Sequence, residues 1–158
     1  MSTFPALDGV HHHKYPVTDL ARSLAWWERV FGAWRQPEWD HRTPDGVLFA
    51  YLLRVPGLAD PVELRLAPGS AAALAGFDPL TLAVADEAAV RAWARHFDAL
   101  EVANSGVLRG ITGWLVATAD PDGVPIRLYS RASHEWDPEG ADLGSSWTAP
   151  LPRDVPAR

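Results

Sequence analysis

The chain repeats itself. Laid over residues 79–118, residues 12–51 give nine identities at a constant offset: Val17/Val84, Asp19/Asp86, Ala21/Ala88, Ala25/Ala92, Trp26/Trp93, Arg42/Arg109, Gly46/Gly113, Leu48/Leu115 and Ala50/Ala117. They fall on a strand end, on one side of a helix and on a second strand. Two copies are too few for a solenoid, so the repeat predicts one domain made of two similar halves. A seam between such halves is where a concave ligand site is expected.

The bounds set by composition agree. A chain of 158 residues is the size of a single domain and long enough to bury a sizeable core. Its formal net charge of −6, with no basic stripe, argues against a nucleic-acid partner. There is no cysteine, which excludes disulfides, thiolate catalysis and thiolate-bound metals. No apolar run approaches the ~20 residues that span a bilayer, and Met1–Gly9 lacks a cationic stretch followed by an apolar one. A soluble cytoplasmic protein with no membrane partner is the expectation.

Each half opens with a β-type run, Val10–Val17 or Pro79–Val84. An Asp follows, Asp19 or Asp86, placed to cap a helix N-terminus. The helices carry apolar residues at helical spacing: Leu20, Leu24, Trp27 and Phe31 with Trp26 and Val30, then Val90, Trp93, Ala94, Phe97 and Leu100. Gly32 suits a helix end. Strands are predicted over 46–55 and 62–67, and over 111–118 and 124–130. Weaker ones are predicted near 34–40 and 102–108. The turn Asp120-Pro-Asp-Gly123 joins two of them. The reading is an α+β fold of two tandem β-α-β-β-β modules, residues 9–67 and 77–131, forming a curved mixed sheet around a concave cavity. Residues 68–76 read as a linker, and 132–158 as a Pro-rich acidic tail draped on the body, with Trp136 or Trp147 half covered.

The opening HHHKYPVTDLARSLAWWERVFG and the closing DPDGVPIRLYS resemble the vicinal oxygen chelate superfamily, the group of glyoxalases, bleomycin-resistance proteins and extradiol dioxygenases. The resemblance covers about residues 9–131. It implies that metal-using relatives take one ligand from the first and one from the last strand of each half. Carried over, those positions hold His12 and Glu63 in half one and Pro79 and Arg127 in half two. Proline offers no side-chain donor, and a guanidinium cannot coordinate a cation. The expectation is therefore no metal and no cofactor. Because relatives often form two-fold dimers, a homodimer is expected as well.

The residues themselves make a constellation without a metal. Strand alternation puts His12 with Lys14, Glu63 with Arg65, and Arg127 with Tyr129 on one face. Val62/Leu64/Leu66 and Val124/Ile126/Leu128 then pack on the helices. On that alternation His11 and His13 point away from His12. His12, Glu63 and Arg127 are the candidate catalytic groups, with Glu63 and Arg127 expected to pair. Lys14, Phe49, Tyr51, Arg65, Trp114 and Tyr129 are candidate ligand contacts. Phe49, Tyr51 and Trp114 are assigned to the cavity because Leu48/Leu115 and Ala50/Ala117, the identical positions, are read as helix-facing. His41, His96 and His134 carry no motif and read as surface residues. The leading function is a protein that binds and sequesters a small aromatic or hydrophobic molecule. The alternative is a metal-independent lyase, isomerase or cyclase with His12 or Glu63 as base and Arg127 stabilising an oxyanion. A metal-dependent glyoxalase or dioxygenase would need ligands from other positions.

Overall fold

A computed structural model of the chain describes residues 4–148. It divides at Pro68/Gly69 into two compact units, here half one and half two. Half one holds β1 (His13–Val17), α1 (Leu20–Phe31), β2 (Trp34–Arg35), β3 (His41–Arg42), β4 (Leu48–Arg54) and β5 (Val62–Leu66). A short helix, α2 (Pro68–Leu74), begins at the boundary. Half two continues with β6 (Thr81–Val84), α3 (Glu87–Ala99), β7 (Leu108–Arg109), β8 (Trp114–Ala119) and β9 (Pro125–Ser130). The strands form two mixed sheets, one per half. The first is ordered β1-β5-β4-β2 with β3 also on β4; the second is ordered β6-β9-β8-β7.

Both long helices start where the sequence says, and the first also stops there. The Asp19 carboxylate accepts from Arg22 N at 2.9 Å, and that of Asp86 accepts from Ala89 N at 2.9 Å. Each satisfies a free donor of the first turn. Gly32 ends α1 in the left-handed region (φ 63°), where a residue without Cβ is not penalised. Helix α1 buries Leu20, Trp27, Val30 and Phe31, with the Trp27 ring edge-on to Tyr15 of β1 at 5.2 Å. Helix α3 buries Val90, Ala94 and Phe97. Side chains of this size contribute roughly 1.5–3 kcal/mol each when fully buried, so these two faces dominate the stability of their halves.

Three predicted segments come out differently. The strand near 34–40 is broken into β2, a 3₁₀ turn at Pro37–Trp39 and β3. Pro37 has no N–H for a ladder, and its fixed φ suits the first position of a helical turn. The strand near 102–108 shrinks to Leu108–Arg109 and an isolated bridge from Asn104 to Thr118. The Ala-rich 68–76 segment coils into α2, with Pro68 at its first residue, because alanine is the best helix former. The turn at 120–123 is as expected. Asp120 Oδ1 accepts from the backbone N–H groups of Asp122 and Val124 at 2.9 Å, and Gly123 takes φ 79°.

Register fixes which side chains share a face. In half one Lys14 pairs with Glu63 and Tyr15 with Leu64 in parallel, while Ala50 pairs with Arg65 and Leu52 with Glu63 antiparallel. One face of this sheet is therefore Tyr15, Val17, Tyr51, Leu53, Val62 and Leu64, turned towards α1. The other face carries Lys14, Ala50, Leu52, Glu63 and Arg65. In half two Arg127 pairs with Thr81 and Ala117, and Tyr129 with Ala83 and Leu115. Those residues share one face. Leu82, Val116, Ile126 and Leu128 take the other, towards α3.

Candidate functional site

Glu63 is the centre of half one. It sits in the middle of the sheet between β1 and β4 and is fully buried, so its charge must be met locally. Arg65, two residues along the same strand face, donates from Nε to Glu63 Oε1 at 2.5 Å. His12 Nε2 lies 3.0 Å and Lys14 Nζ 3.5 Å from Oε2, as charge contacts rather than aligned hydrogen bonds, and His41 Nδ1 lies 3.8 Å from Oε1. Burial pushes the Glu63 carboxyl up. The Arg65 hydrogen bond and charge, with the charges of Lys14 and His41, more than offset this and hold it below its ordinary value. Even with both imidazoles neutral, one carboxylate faces two permanent cations, so the cluster carries surplus positive charge.

The cluster borders an open hollow of about 450 Å³ lined by His11, Trp39, His41, Leu52 and Pro61. The Arg65 guanidinium also lies over the Phe49 ring, 4.6 Å from its centroid, and His41 packs on the same ring at 5.8 Å. Phe49 reaches this side because β3–β4 pairing slips between His41 and Arg42, His41 matching Ala50 and Arg42 matching Leu48. An extra residue in one strand re-aims a side chain that plain alternation would send the other way.

Several expected placements are corrected. His12 precedes β1 rather than lying on it, so strand alternation does not separate the histidines, and His11 Nδ1 is 2.9 Å from His12 Nδ1. Tyr51 is opposite Leu64, on the α1 side, where Arg35 stacks over it at 4.0 Å; it does not line the hollow. Trp114 shares the α3 side with Val116. It meets His134 edge-on at 5.0 Å and borders a surface hollow with Asp86, Glu87 and Arg91 from the start of α3. The identical Ala50 and Ala117 are instead on the polar faces, each directly opposite an arginine. Their smallness leaves room for a long side chain across the ladder. Glu63 and Arg127, expected to pair with each other, each have partners within their own half: Arg127 Nη2 donates to Asp78 Oδ1 at 3.0 Å.

His41, Trp39 and Leu52 were missed. The signal was the short β3, whose pairing with β4 sets His41 beside the Ala50–Arg65 rung. His134 is likewise not free surface: it contacts Trp114, and its Nε2 is 3.3 Å from Gly113 O. Trp136 stays exposed, whereas Trp147 is partly covered.

The donor set does not fit the four-ligand metal site implied by the resemblance. Pro79 has no donor, Arg127 is a paired guanidinium, and both oxygens of Glu63 already face cations that a divalent ion would have to displace. Among the described residues no three His, Asp or Glu side chains gather as a metal-holding set, and no helix is long and apolar enough to cross a membrane.

No curated protein sequence matches the chain. Solved structures do, at a level that speaks to fold. A protein described as TnmS3, an antibiotic binding protein from Streptomyces sp. CB03234, superposes with TM-score 0.63 at 21% identity, covering 80% of this chain and 98% of that one. A glyoxylase/bleomycin resistance protein/dioxygenase domain from Frankia sp. EAN1pec gives 0.61 at 18%, covering 79% and 98%. A fosfomycin resistance protein, FosX, from Listeria monocytogenes gives 0.56 at 16%, covering 79% and 94%. The sequence pattern of one family matches residues 9–128, which takes in both sheets almost to the end of β9. The chain belongs to the glyoxalase/bleomycin resistance protein/dioxygenase superfamily.

Proposed function

We propose that this chain is a binding protein for a small aromatic or hydrophobic molecule carrying an anionic or ketonic oxygen, which it holds without a metal. The observation that carries the reading is the surplus positive charge of the Glu63 cluster at the edge of an apolar and aromatic hollow. Trp39, Leu52 and Pro61 give a planar ligand area to bury, and Lys14 and Arg65 give its oxygen a charge-assisted partner. A volume near 450 Å³ lies in the range of small-molecule sites. That a neighbour of the same fold is described as an antibiotic binding protein is consistent with sequestration. Phe49 stays a ligand contact through Arg65. Tyr51 and Trp114 drop out by position.

The test is a titration with anthraquinone-2-carboxylate, read by the part of the tryptophan emission that is lost in Trp39→Phe. Saturable quenching is expected, with affinity about tenfold lower in Arg65→Met, the loss of one charge-assisted contact. No quenching, together with turnover of the hemithioacetal of methylglyoxal and glutathione, would overturn the reading in favour of a glyoxalase.

A metal-independent enzyme is the second reading, favoured by one feature: Glu63 Oε2, beside His12, accepts no aligned hydrogen bond. Its depressed pKa keeps the carboxylate ionised but makes it a weak base, which places catalysis behind binding. Arg127, the expected oxyanion stabiliser, already has its carboxylate in Asp78. Assembly as a C2 homodimer in the cytoplasm belongs to the same proposal. The exposed Leu7 and Val10 of the N-terminal stretch support a partner surface, and sedimentation tests it.

A further inference from the structure

Beyond the last residue of the family match, the described residues stay on half two. It runs back along residues 109–113, with Asp142 N on Arg109 O at 2.8 Å, Asp137 N on Ile111 O at 2.9 Å and His134 N on Thr112 O at 2.9 Å. Arg109 answers with its own N–H to Asp142 Oδ2 at 2.7 Å and with Nη2 to Asp137 Oδ2 at 3.1 Å. Residues 143–148 then turn, tied by the Thr148 hydroxyl to Ser145 O at 2.8 Å. The turn flanks a half-open cavity of about 210 Å³ between Leu143 and Thr148 on one side and Arg109, Leu115, Arg127 and Tyr129 of the sheet on the other. Every residue from 132 onward lies outside the family pattern, so this wall of the cavity belongs to the chain's own extension.

We propose that residues 134–148 and the sheet of half two together form a binding pocket for a compact neutral molecule: a single apolar ring bearing a carboxamide-like group. The size follows from the volume, many times that of a water and below the usual range for drug-sized ligands. The charge follows from the pairing. Arg127 is matched by Asp78 and Arg109 by Asp137, which leaves the Asp142 carboxylate in surplus at the wall. Among the described residues an acid would meet that carboxylate and find no unmatched cation, so a carboxylate ligand is disfavoured. The polar group follows from what is left unmet. The Tyr129 hydroxyl accepts from Thr112 N at 3.3 Å, and its own proton can go to a ligand carbonyl. Asp142 has spare acceptor capacity for a ligand N–H. Leu115, Leu143 and Tyr129 give the ring apolar walls. Gly110 makes room for Tyr129: a Cβ there would collide with the Tyr129 hydroxyl, which fills that space and so sets one wall of the pocket.

The test titrates the full ¹⁵N-labelled chain with benzamide and, separately, with benzoate. Benzamide is expected to shift the amide resonances of Gly110, Leu143 and Thr148 saturably, with benzoate about tenfold weaker, a difference of ~1.4 kcal/mol. Leu143→Trp, which fills the pocket, is expected to abolish the shifts, and so is Thr148→Phe, which fills it from another residue should the first variant disturb the turn. The proposal is overturned if benzoate binds as tightly as benzamide, if neither fills nor shifts the pocket, or if both filled variants bind benzamide unchanged. Shifts confined to residues 39–65 would overturn it too, by assigning benzamide to the hollow of half one. The anthraquinone titration reads that hollow separately, so the two proposals fail separately.

Discussion

The two halves solve one problem in opposite ways. Lys14 of β1 and Thr81 of β6 are equivalent by the repeat, and their parallel partners are Glu63 and Arg127. One sheet position thus holds a carboxylate in half one and a guanidinium in half two. The carboxylate is wholly buried and gathers several cationic groups. The guanidinium is partly exposed and takes a single carboxylate. A short acid in the middle of a sheet cannot reach water, so the fold must bring the counter-charge to it; a long arginine can carry its charge outwards. The lesson is that a repeated slot preserves direction, not chemistry.

The sharpest break of this comparison is removal of the counter-charge. Glu63→Ala is expected to destabilise by roughly 2–4 kcal/mol, because Arg65 loses its hydrogen bond and like charges are left facing one another. Asp78→Ala should cost less, roughly 1–2 kcal/mol, since Arg127 can turn towards solvent. Chemical unfolding of both variants checks the order, and equal losses would erase the contrast. The Glu63 contribution also has a pH sign. Its folded pKa is lowered, so the contribution is complete above a glutamate's ordinary 4.5 and fades as pH falls through the lower folded value. In Glu63→Gln that acid-limb loss should be absent from an unfolding–pH curve.

Next in size is a change that should affect both halves alike. Ala50 and Ala117 are fully buried, each opposite an arginine. Valine at either is expected to cost about 1–3 kcal/mol by overpacking. A much smaller effect in one half would show that its alanine is not there to seat the arginine. Smaller still are the helix caps. Asp19→Ala and Asp86→Ala should each cost about 1 kcal/mol, measured by thermal unfolding. The smallest effect concerns half two only. The Asp137 carboxyl is held below its ordinary value, first by the Gly140 N–H and then by Arg109. The hold of 134–148 on the sheet should therefore persist above the usual aspartate range and loosen as pH falls through the lowered value, seen as faster amide exchange at Asp137 and Asp142.

Much of the architecture was legible because it rests on local rules. Asp19, Asp86 and Gly32 mark helix ends by their own chemistry, and the stripes of α1 and α3 are read directly from spacing. The polar faces at Glu63/Arg65 and Arg127/Tyr129 followed from alternation along single strands. What failed was anything set by pairing between strands. Identity between halves reads as a mark of the helix-facing side, yet Ala50 and Ala117 each face an arginine across the ladder. That error carried Tyr51 and Trp114 to the wrong face. The slip between His41 and Arg42 returned Phe49 to the polar side for a reason no alternation shows. From their antiparallel neighbours Ala50 and Ala117, Arg127 answers to Arg65, whereas from the parallel edge it answers to Glu63. The halves therefore differ by a two-residue shift that keeps every face intact and is invisible without coordinates.

The segment hydrogen-bonded along 109–113 has a consequence for colloidal behaviour. Strand β7 ends its sheet, and an uncovered strand end presents free backbone donors and acceptors to any other chain. Residues 134–142 occupy that line of groups from within the same molecule. A shortened version ending near Ala132 would keep its helices and most of its core, yet acquire an adhesive border, and should form oligomers through half two at concentrations where the full chain stays dispersed.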